Sequence, residues 1–360
     1  MITEFSFQEI VEPAITWFDK HKRAMPWRED REAYHIWVSE IMLQQTRVQA
    51  VIEYYLRFMK ALPSVEDLAR CPEDELMKLW EGLGYYNRAR NLKEAANTIV
   101  TTYGGKMPET TEELLSLKGI GDYTARAIAS QAFGVPVVAV DGNVLRLVTR
   151  LSRDNTDIGK ASFKRQVEGC LDLVSPPDRA GDFCQALMEL GACICLPNAQ
   201  PDCENCPLKA FCESYRHQDM QSYPVKQKAK ERRIENRTIL ILRYQDLVVL
   251  SKRGKTGLLA GLYEFPGKKG FLSEKEVVQS VKAMGFSPLK VRKMEPAKHI
   301  FSHVEWHMEG YEVRLDETLV LPEETILASV SEMEERYCLP AAFEGFKKQI
   351  HVKSRTAKKP

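Results

Sequence analysis

From the N-terminus to about residue 215, apolar side chains recur at intervals of three and four, the spacing that lines one face of a helix. The runs WVSEIMLQQTRVQAVIEYYLRFM, EDELMKLWEGLG, ARNLKEAANTIVTTYG, TEELLSLKG, YTARAIASQAFG, NVLRLVTRLS, FKRQVEGCLDLV and FCQALMELGACIC predict helices, with glycine or proline at nearly every junction. The opening stretch, MITEFSFQEIVEPAITWFDKHKR, reads as a further amphipathic helix and has no secretory signature. Between Ser222 and Ile234 apolar residues thin out, leaving YPVKQKAKERR as the candidate linker. Beyond it the pattern changes to short β-type runs, RTILILR, DLVVLSKR, PLKVRKME and EWHMEGYEVRL, with a helix SEKEVVQSVKAMG among them. The expected organisation is an all-α domain at 1–215, a linker at 216–234, an α+β domain at 235–350 and a basic tail at 351–360.

A chain of 360 residues suits two or three domains. With 44% hydrophobic and 28% charged residues it has the make-up of a folded soluble protein, and no apolar run approaches the ~18 residues of a membrane span. The expectation is a cytoplasmic monomer with no membrane partner. A net charge of +1 does not by itself announce a polyanionic partner. The charge is uneven, however: Lys226, Lys228, Lys230, Arg232, Arg233 and Arg237 stand against Glu231 and Glu235 alone, and the chain ends KSRTAKKP. These runs permit DNA binding; a solvated linker and a frayed end account for them equally well.

Leu117–Ala129, LKGIGDYTARAIA, carries Gly119 and Gly121 between two predicted helices. The pattern predicts a tight hairpin with backbone amides at a helix N-terminus, able to cradle a phosphate without a side chain; alone, it is equally an ordinary helix-helix turn. Further on, the apolar run VPVVAV ends in Asp141-Gly142-Asn143 where another helix begins. Asp141 is first of all an N-cap. The same position suits a carboxylate facing positive charge on a sugar, because the helix amides and dipole favour its ionised form. Glu40 supplies the complement. It is the one acid among Ile36, Trp37, Val38, Ile41, Met42 and Leu43, surroundings that raise a carboxyl pKa; the alternative, an exposed glutamate, has little polar face to occupy. Two carboxyls pushed in opposite directions are the means by which glycosidic bonds are broken.

Nine cysteines, five of them between Cys193 and Cys212, point to metal rather than disulfides in a cytoplasmic chain. Cys195, Cys203, Cys206 and Cys212 form C-x7-C-x2-C-x5-C. Zinc is the generic occupant of four-cysteine sites, though usually between two C-x-x-C pairs.

The strings PWR at Pro26–Arg28, VSEIMLQQTRV, WEGLGYYNRARNL, LKGIGDYTA and AVDGNV, followed by the cysteine cluster, stand in an order similar to the endonuclease III superfamily. Over nearly its whole length the chain resembles the adenine DNA glycosylases of MutY type. The resemblance implies a helix-hairpin-helix domain made of a six-helix barrel module and an iron-sulfur module, in a nucleoid-associated enzyme. It also implies a [4Fe-4S] cluster on Cys195, Cys203, Cys206 and Cys212, shaping a basic loop for DNA rather than carrying electrons. The family's first gap usually holds about six residues. Here it holds seven, so Cys193 is an alternative to Cys195.

Glu40 and Asp141 take the catalytic positions of the family, with Asn143 beside them. Relatives that also cut the strand carry a lysine before the hairpin threonine, whose amine attacks the sugar. Tyr123 stands there instead and cannot form that imine, so simple hydrolysis is expected, with Tyr123 hydrogen-bonded to the catalytic carboxylates. Because the base must leave the stack to be cut, adenine flips into a pocket. Gln44 and Gln45, followed by Thr46 and Arg47, and Tyr85 in GLGYY match positions near the opposing base; ordinary packing is the alternative for Gln44, Gln45 and Tyr85. Trp27, Arg28, Leu43 and Gln185 fall where adenine contacts would lie.

GLLAGLYEFPG gives the C-terminal half a resemblance to a Nudix fold. SEKEVVQSVKAMG lacks the acidic run that holds magnesium on a pyrophosphate, so that hydrolysis is not expected. Phe301, Ser302 and His303 match the family loop that senses 8-oxoguanine, although alone they would be a plain hairpin turn. The expected function is a monofunctional glycosylase that hydrolyses the N-glycosidic bond of adenine paired with 8-oxoguanine or guanine in double-stranded DNA, without magnesium. An oxidised-pyrimidine or thymine-mismatch glycosylase and a non-catalytic mismatch binder are the alternatives.

Overall fold

A computed structural model describes residues 2–197, 199–227, 231–316 and 321–356, with side chains as far as residue 350. Lys228 and Lys230 of the basic run and the last four residues of the tail lie outside the described residues. The chain forms two compact units, one of residues 1–71 and 90–229, the other of 72–89 and 230–360. Residues 72–89, which the sequence groups with the helical domain, thus pack with the C-terminal half.

The helices of the N-terminal half are α1 (Gln8–His21), α2 (Ala33–Leu43), α3 (Val48–Ala61), α4 (Val65–Arg70), α5 (Glu73–Leu79), α6 (Asn87–Tyr103), α7 (Thr111–Ser116), α8 (Asp122–Phe133), α9 (Gly142–Ser152), α10 (Ala161–Asp172), α11 (Ala180–Glu189) and α12 (Glu213–Arg216). The longest apolar-periodic run breaks at Gln44–Arg47 to give α2 and α3. α8 ends on Gly134 in the left-handed conformation, a common helix stop. One core of the first unit gathers Ile10, Ala14 and Phe18 from α1, Val144, Leu147 and Leu151 from α9, and Phe183 and Leu187 from α11. α2 is buried nearly all round and packs along α8, which explains why its sequence shows so little polar face. The VPVVAV run forms no regular element; Val138, Ala139 and Val140 pass through the core and deliver Asp141 to the start of α9.

The second unit carries a mixed sheet of β1 (Arg233–Tyr244), β2 (Leu247–Lys252), β3 (Tyr263–Glu264), β4 (Gly267–Lys269), β5 (Pro288–Ile300), β6 (Val304–Leu315) and β7 (Thr325–Ala328). Its path runs β3-β2-β1-β6-β5, with β4 on β1 and β7 on β2; β1 and β6 are parallel and the other pairs antiparallel. The Ile239–Leu242 centre of RTILILR is continuously apolar because both faces of β1 are covered there. Ile239 and Ile241 pack with Met333 of α14 (Val330–Glu335) and Phe346 of α15 (Glu344–Thr356). Leu240 and Leu242 pack on the other face with Val277 and Val281 of α13 (Glu274–Ala283). α13 opens with a capping box of Ser273 and Glu276, so one of its few acids is spent on the helix end. In the same unit Asp74 meets Lys252 at 2.8 Å, and Glu81 Oε1 accepts the Leu339 amide at 3.0 Å.

Candidate active site

Asp141 precedes α9 with extended backbone, and its Oδ1 accepts the amides of Asn143 at 2.9 Å and Val144 at 2.8 Å. Its Oδ2 accepts from Asn143 Nδ2 at 2.7 Å. The cap and the carboxylate proposed to do chemistry are therefore one group in one geometry. Arg146, one turn along, donates from Nη2 to Asn143 Oδ1 at 3.0 Å and so fixes which way the Asn143 amide points.

Glu40 lies on α2, 7% exposed, and accepts from Gln131 Nε2 of α8 at 3.3 Å. Burial raises its pKa above the ordinary carboxylate value; hydrogen bonds from Gln131 and Tyr123 oppose that in part, and the nearby Asp141 reinforces it. Tyr123, on the first turn of α8, faces both acids, and its hydroxyl lies 3.8 Å from Met188 Sδ. Burial first, then Glu40 and Asp141, push that phenol well above its usual value, so it stays a proton-bearing donor.

These groups share one cavity of about 310 Å³. Trp27, Arg28, Leu43, Gln44, Gln45, Thr46 and Gln185 line it beside Glu40, Tyr123, Asp141 and Asn143. Gln45 is exposed with φ +56°, a conformation that costs a non-glycine residue about 1 kcal/mol and that surrounding structure must hold. Arg47 does not line the cavity; it stands exposed before α3. Gly119 and Gly121 form the hairpin before α8. Gly119 has φ +79°, and a Cβ there would come within 2.5 Å of Asn91 Cβ, so only glycine fits; Gly121 caps α8 in extended conformation, where the first-turn amides lack intrahelical acceptors.

Sequence reasoning missed Glu189. It is 2% exposed on α11 and ion-paired to Arg23 at 2.7 Å and Arg28 at 2.9 Å, with all three lining the cavity. Burial alone would raise its pKa; the Arg23 hydrogen bond and the two guanidinium charges outweigh that and hold it below the usual value. The signal was present: Glu189 stands alone in ALMELG as Glu40 stands alone in VSEIML.

Residues 38–171 match the HhH-GPD superfamily of base excision DNA repair proteins, and residues 237–349 match the NUDIX domain. The adenine DNA glycosylase of Mus musculus is 34% identical over 361 residues, covering 84% of this chain and 70% of the relative. That of Buchnera aphidicola subsp. Baizongia pistaciae is 32% identical over 294 residues, covering 81% and 82%. The chain belongs to the adenine DNA glycosylase family. Among solved structures, a thermostable thymine-DNA glycosylase is similar over 58% of this chain and 97% of its own, at TM-score 0.54 and 30% identity. That likeness reaches the helical domain's share of the chain, whereas the adenine glycosylase relatives match over most of it. This adenine DNA glycosylase acts in base excision repair and binds DNA.

The cysteines of the glycosylase sort by direction. Cys195, Cys203, Cys206 and Cys212 line one small apolar cavity of about 20 Å³ with Leu147, Leu151 and Met220. Cys193 is not there; its sulfur lies 3.6 Å from Glu189 Oε2. The four thiols are not closed into a compact set of the kind that grips a single ion, among the described residues. Burial pushes Cys206 up to about 12 and Cys212 up to about 11, so positive charge must enter the cavity before they become thiolates. A thiol-lined, apolar donor set of this kind fits an iron-sulfur group. Arg150 Nη1 reaches Cys195 Sγ at 3.3 Å, and Arg146 donates to the carbonyls of Cys195 at 2.8 Å and Gly191 at 2.6 Å. Arg146 thus touches both the cysteine loop and Asn143. The expectation of a basic loop is corrected: between Cys195 and Cys212 the one cation is Lys209, and Glu204 neutralises it at 2.5 Å.

In the second unit Tyr85 is 46% exposed with φ +48°. Phe301, Ser302 and His303 form the turn between β5 and β6. Phe301 packs edge-on against Trp306 at 4.8 Å while Ser302 and His303 are exposed.

Proposed function

We propose that this enzyme removes adenine from pairs with 8-oxoguanine or guanine by hydrolysis alone, using Glu40 as acid and Asp141 as the carboxylate facing the sugar. The supporting observation is that a buried, proton-retaining Glu40 shares one cavity with a triply bonded Asp141. The flipped nucleotide enters that cavity with its base toward Trp27, Arg28, Leu43 and Gln185. Glu40 gives its proton to a ring nitrogen, the C1′–N9 electron pair goes to the base, and Asp141 stabilises the positive charge left on C1′. Water then adds to C1′, with Glu40 returning as base. Tyr123 offers no amine, so no imine forms with the sugar. Asn143 and Arg146 hold Asp141 in place, and the Glu189 pair with Arg23 holds Arg28. In this reading Cys195, Cys203, Cys206 and Cys212 hold a [4Fe-4S] cluster that ties the loop together as structure. Phe301, Ser302 and His303 read the base opposite adenine, with Gln44, Gln45 and Tyr85 at the opened pair.

The test uses duplexes carrying adenine opposite 8-oxoguanine, guanine, cytosine or thymine. Free adenine and alkali-labile strand should appear with the first two, and borohydride should trap no protein–DNA adduct. Equal cleavage of all four, or a trapped adduct, overturns the proposal.

A further inference from the structure

The nucleotide cavity has a neighbour. A second cavity, of about 360 Å³, shares Arg23, Met25, Trp27, Arg28, Gln131 and Gln185 with it, so a single layer of residues divides the two. The order of wall residues along three helices gives its direction. On α8, which starts at the hairpin, Tyr123 lines the first cavity only and Gln131 lines both. On α11, Met188 and Glu189 line the first, Gln185 lines both, and Asp182 lines the second only. On α2, Glu40 and Leu43 belong to the first and Ile36 to the second. At about 1.5 Å per residue the steps run from about 6 to about 12 Å. The second cavity therefore lies deeper along all three helices, on the side away from the hairpin. Its outer wall includes Lys22, Ala24 and Arg31, all exposed, so it opens to water.

We propose that this cavity is a rear portal through which the excised purine, free adenine, leaves while the product DNA is still bound. The inference rests on the base-flipping reading above. DNA seated on the hairpin covers the front mouth, and the sugar that stays in the strand stands between the freed base and that mouth. Once the glycosidic bond is broken, adenine carrying the proton from Glu40 is a neutral molecule tied to nothing. The dividing wall suits its passage, because Gln131 and Gln185 are each held by one side-chain hydrogen bond of 3.3 Å, to Glu40 and to the Gly181 carbonyl, and turn aside at small cost. Trp27 supplies an aromatic face, and the mixed charges of Arg31 and Asp182, 3.8 Å apart, offer donors and acceptors to a purine edge without favouring an ion.

A single turnover of the full-length protein on a duplex with radiolabelled adenine tests it. Excision is read as alkali-labile strand, and base escape as label passing a filter that retains the protein–DNA complex. Label should pass at the rate of excision, before the DNA dissociates. Ala24→Trp, which fills the portal from an exposed position away from both carboxylates, should slow escape about tenfold or more with excision unchanged. Arg31→Trp fills the outer wall from a second exposed position and serves if the first variant does not fold. Label that leaves the wild type only with the DNA, or leaves both variants at the wild-type rate, overturns the portal. Absence of alkali-labile strand from every duplex would overturn the function beneath it.

Discussion

In the helical unit Glu40 and Glu189 are almost sealed from water, each held by donors from a distant part of the chain; in the sheet unit the side chains of Ser302 and His303 stand exposed at a turn whose half-buried anchor is the Phe301 ring. Both places are proposed to handle a base. The first must move a proton, and low dielectric with fixed partners sets the pKa values that allow it. The second must meet a base that comes from outside, so its polar atoms have to face solvent until that partner arrives. Within the helical cavity the contrast recurs on a smaller scale: two buried glutamates differ in proton affinity because arginines pair with only one of them.

The strongest way to break this contrast is to remove the proton from the sealed site. Glu40→Gln should cut single-turnover excision about 10³-fold or more, measured as adenine release. In the wild type the acid form is lost as pH rises through the raised Glu40 pKa, so excision should fall on the alkaline side, and the variant should lose that limb. The same raised pKa means that folding is favoured by this group below its ordinary value and disfavoured above it. The variant should therefore melt at a higher temperature than the wild type at neutral pH.

Asp141→Asn should lower excision about 10²- to 10³-fold while duplex affinity is retained. A loss of affinity as large as the loss of rate would show that the residue only caps α9. Glu189→Gln leaves Arg23 and Arg28 without their carboxylate and should cost about 2 to 3 kcal/mol of stability by denaturant titration. The wild-type contribution is present at neutral pH and fades as pH falls through the lowered Glu189 pKa, a dependence the variant should lack. The smallest effect is expected at the exposed turn. His303→Ala should leave excision opposite guanine unchanged and reduce the preference for 8-oxoguanine about fivefold, the worth of one hydrogen bond.

The sequence makes the two-part architecture legible because hydrophobic period switches from helical to β-type at the linker. Glu40 is legible because burial leaves a mark in its immediate neighbours. Asp141 is legible as a cap, and its second role depends on α2 and α8 coming alongside. Glu189 carries the same mark as Glu40, but Arg23 could not be found this way, since its partner lies 166 residues away and Arg23 itself stands in a polar stretch. The first cysteine was ambiguous from spacing alone, and the direction of each thiol places Cys195 with the other three. Phe301, Ser302 and His303 carry no physical signal of their own and rest on resemblance. Residues 72–89 read as part of a helical run, because contacts to Leu339 and Lys252 leave no periodicity behind.

That last segment bears on how the enzyme comes apart. Chain passes out of the helical unit at Cys71, packs with the sheet, and returns at Arg90. Scission in the linker by a protease would therefore not yield two self-sufficient pieces. The N-terminal fragment would keep Asp74, Lys78 and Glu81 but lose Lys252, Met333 and Leu339, their partners.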